Sequence, residues 1–268
     1  DKKAGAPENL ITPEVHDGRL VFSSRASYEK TIEQLSPLEE SELIAWEDNL
    51  SFTSMRKEMT EEERENIGIE DELLATLINK HGEIQIGKYI YKIDIPNEKV
   101  YAVRENQVEN PGNAFENNAA VKIYSIHDNV LDFVEGDRTP QAKGCDGCPD
   151  NKFVDKDVQT KGGASVNVKY KVVYQKAGVY YSLQAKIKRE VCNGCIYIGL
   201  QWPGKTYSYT KCGSSSSEIT GFNQGGTGRE YSKRPYSGSS RLKQYNWKVR
   251  FSIRDGNWIF EPQVELKC

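Results

Sequence analysis

The residues best equipped for chemistry are six cysteines, and four of them form two matched pairs, CDGC at 145–148 and CNGC at 192–195. Two Cys-x-x-Cys knuckles (Cys145 with Cys148, Cys192 with Cys195) can supply four thiolates to a tetrahedral structural zinc. Such knuckles usually stand about 15–20 residues apart, whereas 43 residues separate these two, and Pro149 and Ile196 follow them where ribbon knuckles usually carry Gly. A four-cysteine zinc site also leaves Cys212 and Cys268 over. Six is an even number, so disulfides can use them all. A redox-active Cys-x-x-Cys opens a helix whose dipole lowers the thiol pKa, and neither Pro149 nor the strand-like IYIG at 196–199 provides one.

The second chemical signal is positive charge beside aromatic rings. Arg229, Tyr231, Lys233, Arg234 and Tyr236 interleave at the end of a Gly- and Ser-rich stretch, 213–240, expected as one long loop. Cations beside rings suit sugars that carry acidic groups, or stacked bases. Lys169, Lys171, Lys186, Lys188, Lys248, Arg250 and Arg254 fall at the polar positions of alternating segments, so they are expected on the outward faces of strands, as a cationic platform or as edge-protecting charge.

Enzyme signatures are sparse. The sequence carries no nucleophile elbow, H-E-x-x-H, phosphate loop or dinucleotide fingerprint. GGTG at 225–228 lacks the strand–helix setting that a phosphate site needs. Asp155 and Asp157 have no EF-hand spacing around them. His16 falls in an expected tether and His81 at a helix end. His127-Asp128 is the one adjacent base and acid. The acids of Glu61–Glu65 suit a helix start. No catalytic residue is assigned. Distant carboxylates acting on a polysaccharide remain the enzymatic alternative.

Elements that would carry these residues are legible. Ser24 caps a helix to Leu35. SPLE (36–39) starts another, with Ser36 as cap and Glu39 closing the box. Thr60 and Glu63 repeat the capping box, and a third helix covers 69–79. Gly87-Lys88 fits a two-residue hairpin turn inside IQIGKYIYKIDI. Further on, 166–174, 179–187 and 245–253 alternate cleanly, so Val168, Tyr170, Val172 and Tyr174 share a face, as do Tyr245, Trp247, Val249, Phe251 and Ile253. VKIYSI (121–126) and VLDFV (130–134) also suit strands. Asp255-Gly256 predicts a hairpin with Ile253 opposite Trp258 and Phe251 opposite Phe260, and Pro262 at an edge or bulge. The fold expected is α+β, with a small helix-plus-hairpin N-terminal module followed by an antiparallel β-sandwich or open-barrel-like module.

Charge divides the chain in the same place. Residues 1–110 carry net −11, 111–150 net −4 and 151–268 net +12, within a total of −3. The expected domains are a tether at 1–17, an acidic module at 18–110, a connecting segment at 111–165 and a basic all-β module at 166–268.

LINKHGEIQIGKYIYKI (77–93), downstream of AWEDNLSFTSMR (45–56), resembles a signature of Bacteroidetes cell-envelope proteins, typically lipoproteins with a conserved domain of unknown function. The resemblance covers about the first 105 residues and extends loosely into 174–188. It implies export, a cell-envelope or cell-surface location, and lipid anchoring through a removed N-terminal segment whose Cys would lie upstream of Asp1. It implies no activity. That oxidising setting favours disulfides among Cys145, Cys148, Cys192, Cys195, Cys212 and Cys268 over zinc and disfavours a nucleic-acid partner. The function expected is non-catalytic binding or a structural role, with an acidic polysaccharide or envelope protein as partner and no cofactor.

Overall fold

The structure, a computed structural model, describes residues 10–108, 111–136, 148, 152–155, 158–159, 165–166, 168–189, 196–202, 208–211, 214–219 and 221–268. Two compact units emerge, each assembled from separate stretches. Unit 1 takes Asp1–Lys143, Gln175–Tyr181 and Ser237–Arg241, and unit 2 takes Gly144–Tyr174, Ser182–Tyr236 and Leu242–Cys268. These are not the contiguous blocks expected from charge. The fold class is α+β. Among the described residues no helix is long and apolar enough to cross a membrane.

Unit 1 begins with strands β1 (Glu14–His16) and β2 (Arg19–Phe22), so the end of the expected tether is instead a hairpin turned at Asp17-Gly18. Helices α1 (Arg25–Leu35), α2 (Glu40–Asp48), α3 (Met55–Glu58), α4 (Glu61–Asn66) and α5 (Glu72–Leu77) follow. Strands β3 (Glu83–Ile86), β4 (Tyr89–Asp94), β5 (Lys99–Arg104) and β6 (Lys122–Ser125) complete a sheet in the order β1 to β6, with β2 parallel to β3 and the other pairs antiparallel. Ser24 caps α1, and Thr60 with Glu63 forms the predicted box on α4. α2 departs from expectation: Glu39 is its cap, boxed with Glu42, because Ser36 is still in helical conformation at the end of α1. VLDFV is also no strand but helix α6 (Val130–Val134), a short apolar run whose period could not separate the two.

The unit 1 core runs from Leu20 and Phe22 through Tyr28, Trp46, Leu73 and Leu77 to Tyr91 and Val100, and it includes Ala177, Val179 and Tyr180 from the distant 175–181 stretch. Polar bonds fix that stretch. The Tyr180 hydroxyl donates to buried Asp71 at 2.8 Å, Tyr28 donates to the Val179 carbonyl at 3.2 Å, and Gln175 accepts from the Glu70 amide at 2.8 Å.

Unit 2 is built of strands β7 (Lys152–Asp155), β8 (Val158–Gln159), β9 (Ser165–Val166), β10 (Val168–Lys176), β11 (Tyr181–Arg189), β12 (Tyr197–Trp202), β13 (Ser208–Lys211), β14 (Ser216–Glu218), β15 (Phe222–Gly226), β16 (Glu230–Gly238), β17 (Leu242–Asp255), β18 (Trp258–Phe260) and β19 (Gln263–Lys267); the last residues of β10 and β16 and the first of β11 belong to unit 1. β16-β11-β10-β7 form one sheet and β14-β13-β17-β12-β15 another, with β18 and β19 also on β17. The expected alternation holds on β10 and β17. Tyr170 packs on Phe251 at 4.8 Å and Tyr174 on Tyr245 at 5.0 Å, so the two sheets bury their apolar faces against each other.

Two expectations fail in this unit. The 213–240 stretch is not one loop, since most of it forms β14, β15 and β16. The second hairpin also turns one residue later than predicted. Asp255 pairs with Trp258 and Ile253 with Phe260, leaving Gly256-Asn257 as the turn. Pro262 falls in the break between β18 and β19, where its missing N–H costs no ladder bond.

Candidate functional site

The paired cysteine knuckles resolve only in part. Cys148 is bonded to Cys268, with Cα atoms 5.4 Å apart. The Cys268 amide donates to the Tyr245 carbonyl at 2.9 Å, which anchors the bond beside β17. A sulfur spent in this disulfide is not a thiolate ligand, so in this oxidised form Cys148 does not contribute to the alternative zinc set. Cys145, Cys192, Cys195 and Cys212 lie outside the described residues, as does Asp157.

The expected cationic platform requires correction on β10 and β11. Lys171 and Lys186 are 1% and 2% exposed, and Lys169 is also buried. Every position of β10 and all but one of β11 are buried, so both faces of this hairpin are covered. Ser182 and Gln184 share the burial, and both polar atoms of the Gln184 amide are enclosed without a hydrogen bond among the described residues. Lys186 forms a buried ion pair with Glu230 at 3.1 Å. Ammonium groups held this way cannot meet a polymer in solution. Lys188 is half-buried.

Strand β16 and the turn before it also differ from a mobile loop. Arg189 holds the turn: its backbone amide donates to the Arg229 carbonyl at 3.0 Å, and its guanidinium donates to the carbonyls of Ile196 and Thr227. The Tyr231 hydroxyl accepts from the Gly228 amide at 3.0 Å and lies so close to Gly226 and Gly228 that a side chain at either would overlap it. Arg234 and Tyr236 are buried, with Tyr236 against Tyr209 at 4.9 Å and the Lys211 ammonium 5.6 Å over its ring. Lys233 sits 5.8 Å over the Phe222 ring. Of this set Arg229 is exposed, and Tyr231 and Lys233 are half-buried.

The outward face of β17 is where the predicted cations remain accessible. Arg250 pairs with Gln263 of β19 on one side and Gln201 of β12 on the other, and Gln201 faces Asn223 of β15. Directly opposed residues share a face of the sheet. A row of three amides and one guanidinium therefore crosses four strands. Gln263 and Asn223 are exposed, and Arg250 and Gln201 are half-buried. Among the described residues the Arg250 guanidinium has no ion-pair or hydrogen-bond partner. Lys248 stands one step away on the same face, opposite Glu265. At the other end Arg254 is tied to Glu261 at 3.0 Å and lies 5.3 Å over Tyr197, whose ring covers Gly199 and Gly225. Arg254 is thus engaged, and Arg250 is the more accessible guanidinium to consider on this face.

No protein-family model, curated protein or solved structure matches this chain.

A second site lies in unit 1. A cavity of about 340 Å³ is lined by Asp17, Gly18, Ser51, Thr53, Glu58, Asn79, Lys80, His81, Glu83 and Gly112. Sequence reasoning missed it, because its walls come from four separate stretches; the Asp17-Gly18 and His81-Gly82 turns were its only local signals. The other histidines form no catalytic pair. His16 meets Glu14 at the surface. His127 does not engage Asp128, whose carboxylate instead accepts from the Ser125 amide. The His127 Nδ1 lies 3.0 Å from the Lys176 ammonium and its Nε2 lies 3.7 Å from Glu98.

Proposed function

We propose that this is an exported, non-catalytic binding protein of the cell envelope whose unit 2 engages an acidic polysaccharide through the outward face of β17. The observation that carries the reading is Arg250, a guanidinium without an ion-pair or hydrogen-bond partner among the described residues, set in a row with Gln263, Gln201 and Asn223. A planar guanidinium binds carboxylate or sulfate bidentately, and flanking amides can both donate to and accept from sugar hydroxyls. Lys248 adds charge, and Arg229, Tyr231 and Lys233 offer a second cation–aromatic edge. Lys169, Lys171, Lys186, Arg234 and Tyr236 have no part in it, since they are buried.

The Cys148–Cys268 bond supports the extracytoplasmic location, because disulfides persist in oxidising compartments. Lipid anchoring rests on the resemblance to Bacteroidetes envelope lipoproteins. The enzymatic alternative draws on the unit 1 cavity, where Asp17, Glu58 and Glu83 face one space. A charged-glycan array tests the first reading: binding that weakens with salt and drops at least tenfold in Arg250→Ala supports it. Unchanged binding in that variant refutes it, and release of reducing sugar would favour the alternative.

A further inference from the structure

The outward face of β17 has a direction as well as a charge. Asn223, Gln201, Arg250 and Gln263 are directly opposed across β15, β12, β17 and β19. Their row therefore runs at right angles to the strands, and three inter-strand steps make it about 14 Å long. The next row, toward Arg254, holds Gly225, Gly199 and Ser252, and it is built up from above. The hydroxyl end of Tyr197 lies over both glycines, so neither has room for a side chain. Ser252 is 2% exposed, and its hydroxyl donates to Glu261 and accepts from Arg254, each at 3.1 Å. Arg254 also reaches Glu261 at 3.0 Å and the Tyr197 ring at 5.3 Å. Tyr197 and the Arg254–Glu261 pair thus form a ledge along one side of the amide row.

Positive charge is isolated at one point of that row. Arg254 is held by Glu261, and Lys248 stands opposite Glu265. Both glutamates belong to exposed residues, two positions either side of Gln263. A second anion arriving at the Gln263 end is therefore repelled from both sides. Beyond Arg250 in the other direction stand only the uncharged amides of Gln201 and Asn223. An amide carries two donors and an acceptor, which suits hydroxyl and acetamido groups, whereas its carbonyl oxygen opposes a carboxylate. The row thus takes one anionic group, bidentate on Arg250, with neutral groups to left and right of it. Its length accommodates roughly three sugar rings, the middle one acidic.

We propose that this row binds a polysaccharide in which each uronic acid is flanked by neutral sugars, lying across the strands along the Tyr197 ledge with one carboxylate on Arg250. The inference rests on the β17 reading and adds the charge spacing and the direction of the ligand. The test titrates the full chain calorimetrically with oligosaccharides of hyaluronan, where uronic acid and acetamido sugar alternate, of polygalacturonate, with an acid on every ring, and of heparin, which is densely sulfated. Hyaluronan should bind tightest. Its affinity should fall with salt on a log–log slope no steeper than about −1, because one cation is met. Gln201→Leu keeps the volume, removes an amide and should weaken hyaluronan about fivefold. Tighter binding of polygalacturonate or heparin, or a hyaluronan slope near about −3, overturns the inference and leaves the β17 reading standing. So does hyaluronan binding that Gln201→Leu leaves unchanged. Failure of all three acidic ligands to bind, or binding that Arg250→Ala does not weaken, sinks the β17 reading and the inference together.

Discussion

The Cys148–Cys268 bond should dominate the stability of unit 2. It closes a loop across a sequence separation of 120 residues. For a loop of that length the chain-entropy relation gives about 4–5 kcal/mol, mostly by restricting the unfolded chain. The contacts around it do not run through the sulfurs: β19 pairs with β17 from Gln263 to Lys267, with Val264 and Leu266 buried beneath. The double variant Cys148→Ser, Cys268→Ser should therefore fold, but open more often. At about 1.4 kcal/mol per decade, 4 kcal/mol corresponds to roughly a thousandfold loss of amide protection. Hydrogen-exchange mass spectrometry on β17 and β19 peptides reads this directly, with a non-reducing peptide map to confirm the linked pair. The reasoning is refuted if native, unreduced protein shows free thiols at both positions, or if protection in β17 and β19 changes less than tenfold.

Three further outcomes follow from unit 1. Gly82→Ala forces a side chain onto the Ile93 carbonyl at positive φ, and should cost about 2–4 kcal/mol in urea denaturation. Arg64 makes two bonds, of 2.7 and 2.8 Å, to Glu72, and both residues are about nine-tenths buried or more; Arg64→Met should cost about 3–5 kcal/mol by leaving that carboxylate without its guanidinium. Burial pushes the Tyr28 and Tyr91 hydroxyls well above the usual tyrosine range, aided at Tyr28 by the charge of Glu29. A raised pKa gives stability that is full below about pH 10 and falls as pH rises past it. Each tyrosine should remove about 1.4 kcal/mol per pH unit there. Denaturant midpoints between pH 9 and 11.5 check this, and Tyr28→Phe should flatten the slope.

Much of the architecture could be read from local pattern. The alternation in β10 and β17 identified which side chains face inward, and Ser24 and Thr60 marked two helix starts, because caps and period-2 faces are local properties. What pattern could not give was cover. The polar positions of β10 and β11 looked like solvent positions, yet Lys171 and Gln184 are enclosed, and alternation says nothing about whether a second layer lies over the polar side. β15 and β16 were hidden by their glycines, which usually weaken strands. Here Tyr197 lies over Gly199 and Gly225, and Tyr231 closes on Gly226 and Gly228, so tyrosine side chains fill the vacant places. The β17 face was half legible: Lys248 and Arg250 were expected outward, but Gln201, Asn223 and Gln263 join them only through strand register. The unit 1 cavity was hidden by the same kind of long-range assembly.

The 175–181 stretch has a bearing on how the chain is made. Unit 1 lacks Ala177, Val179 and Tyr180 until they are synthesised, and its last segment ends at Arg241. Translation proceeds at about 5–20 residues per second, so Tyr28 and Asp71 face an unfilled gap for roughly 2–7 s between Lys143 and Tyr180, and the unit is complete roughly 5–20 s after Lys143, at Arg241. Early release, or a gene cut at Lys143, yields a sticky half-built module in need of a chaperone rather than a free-standing domain.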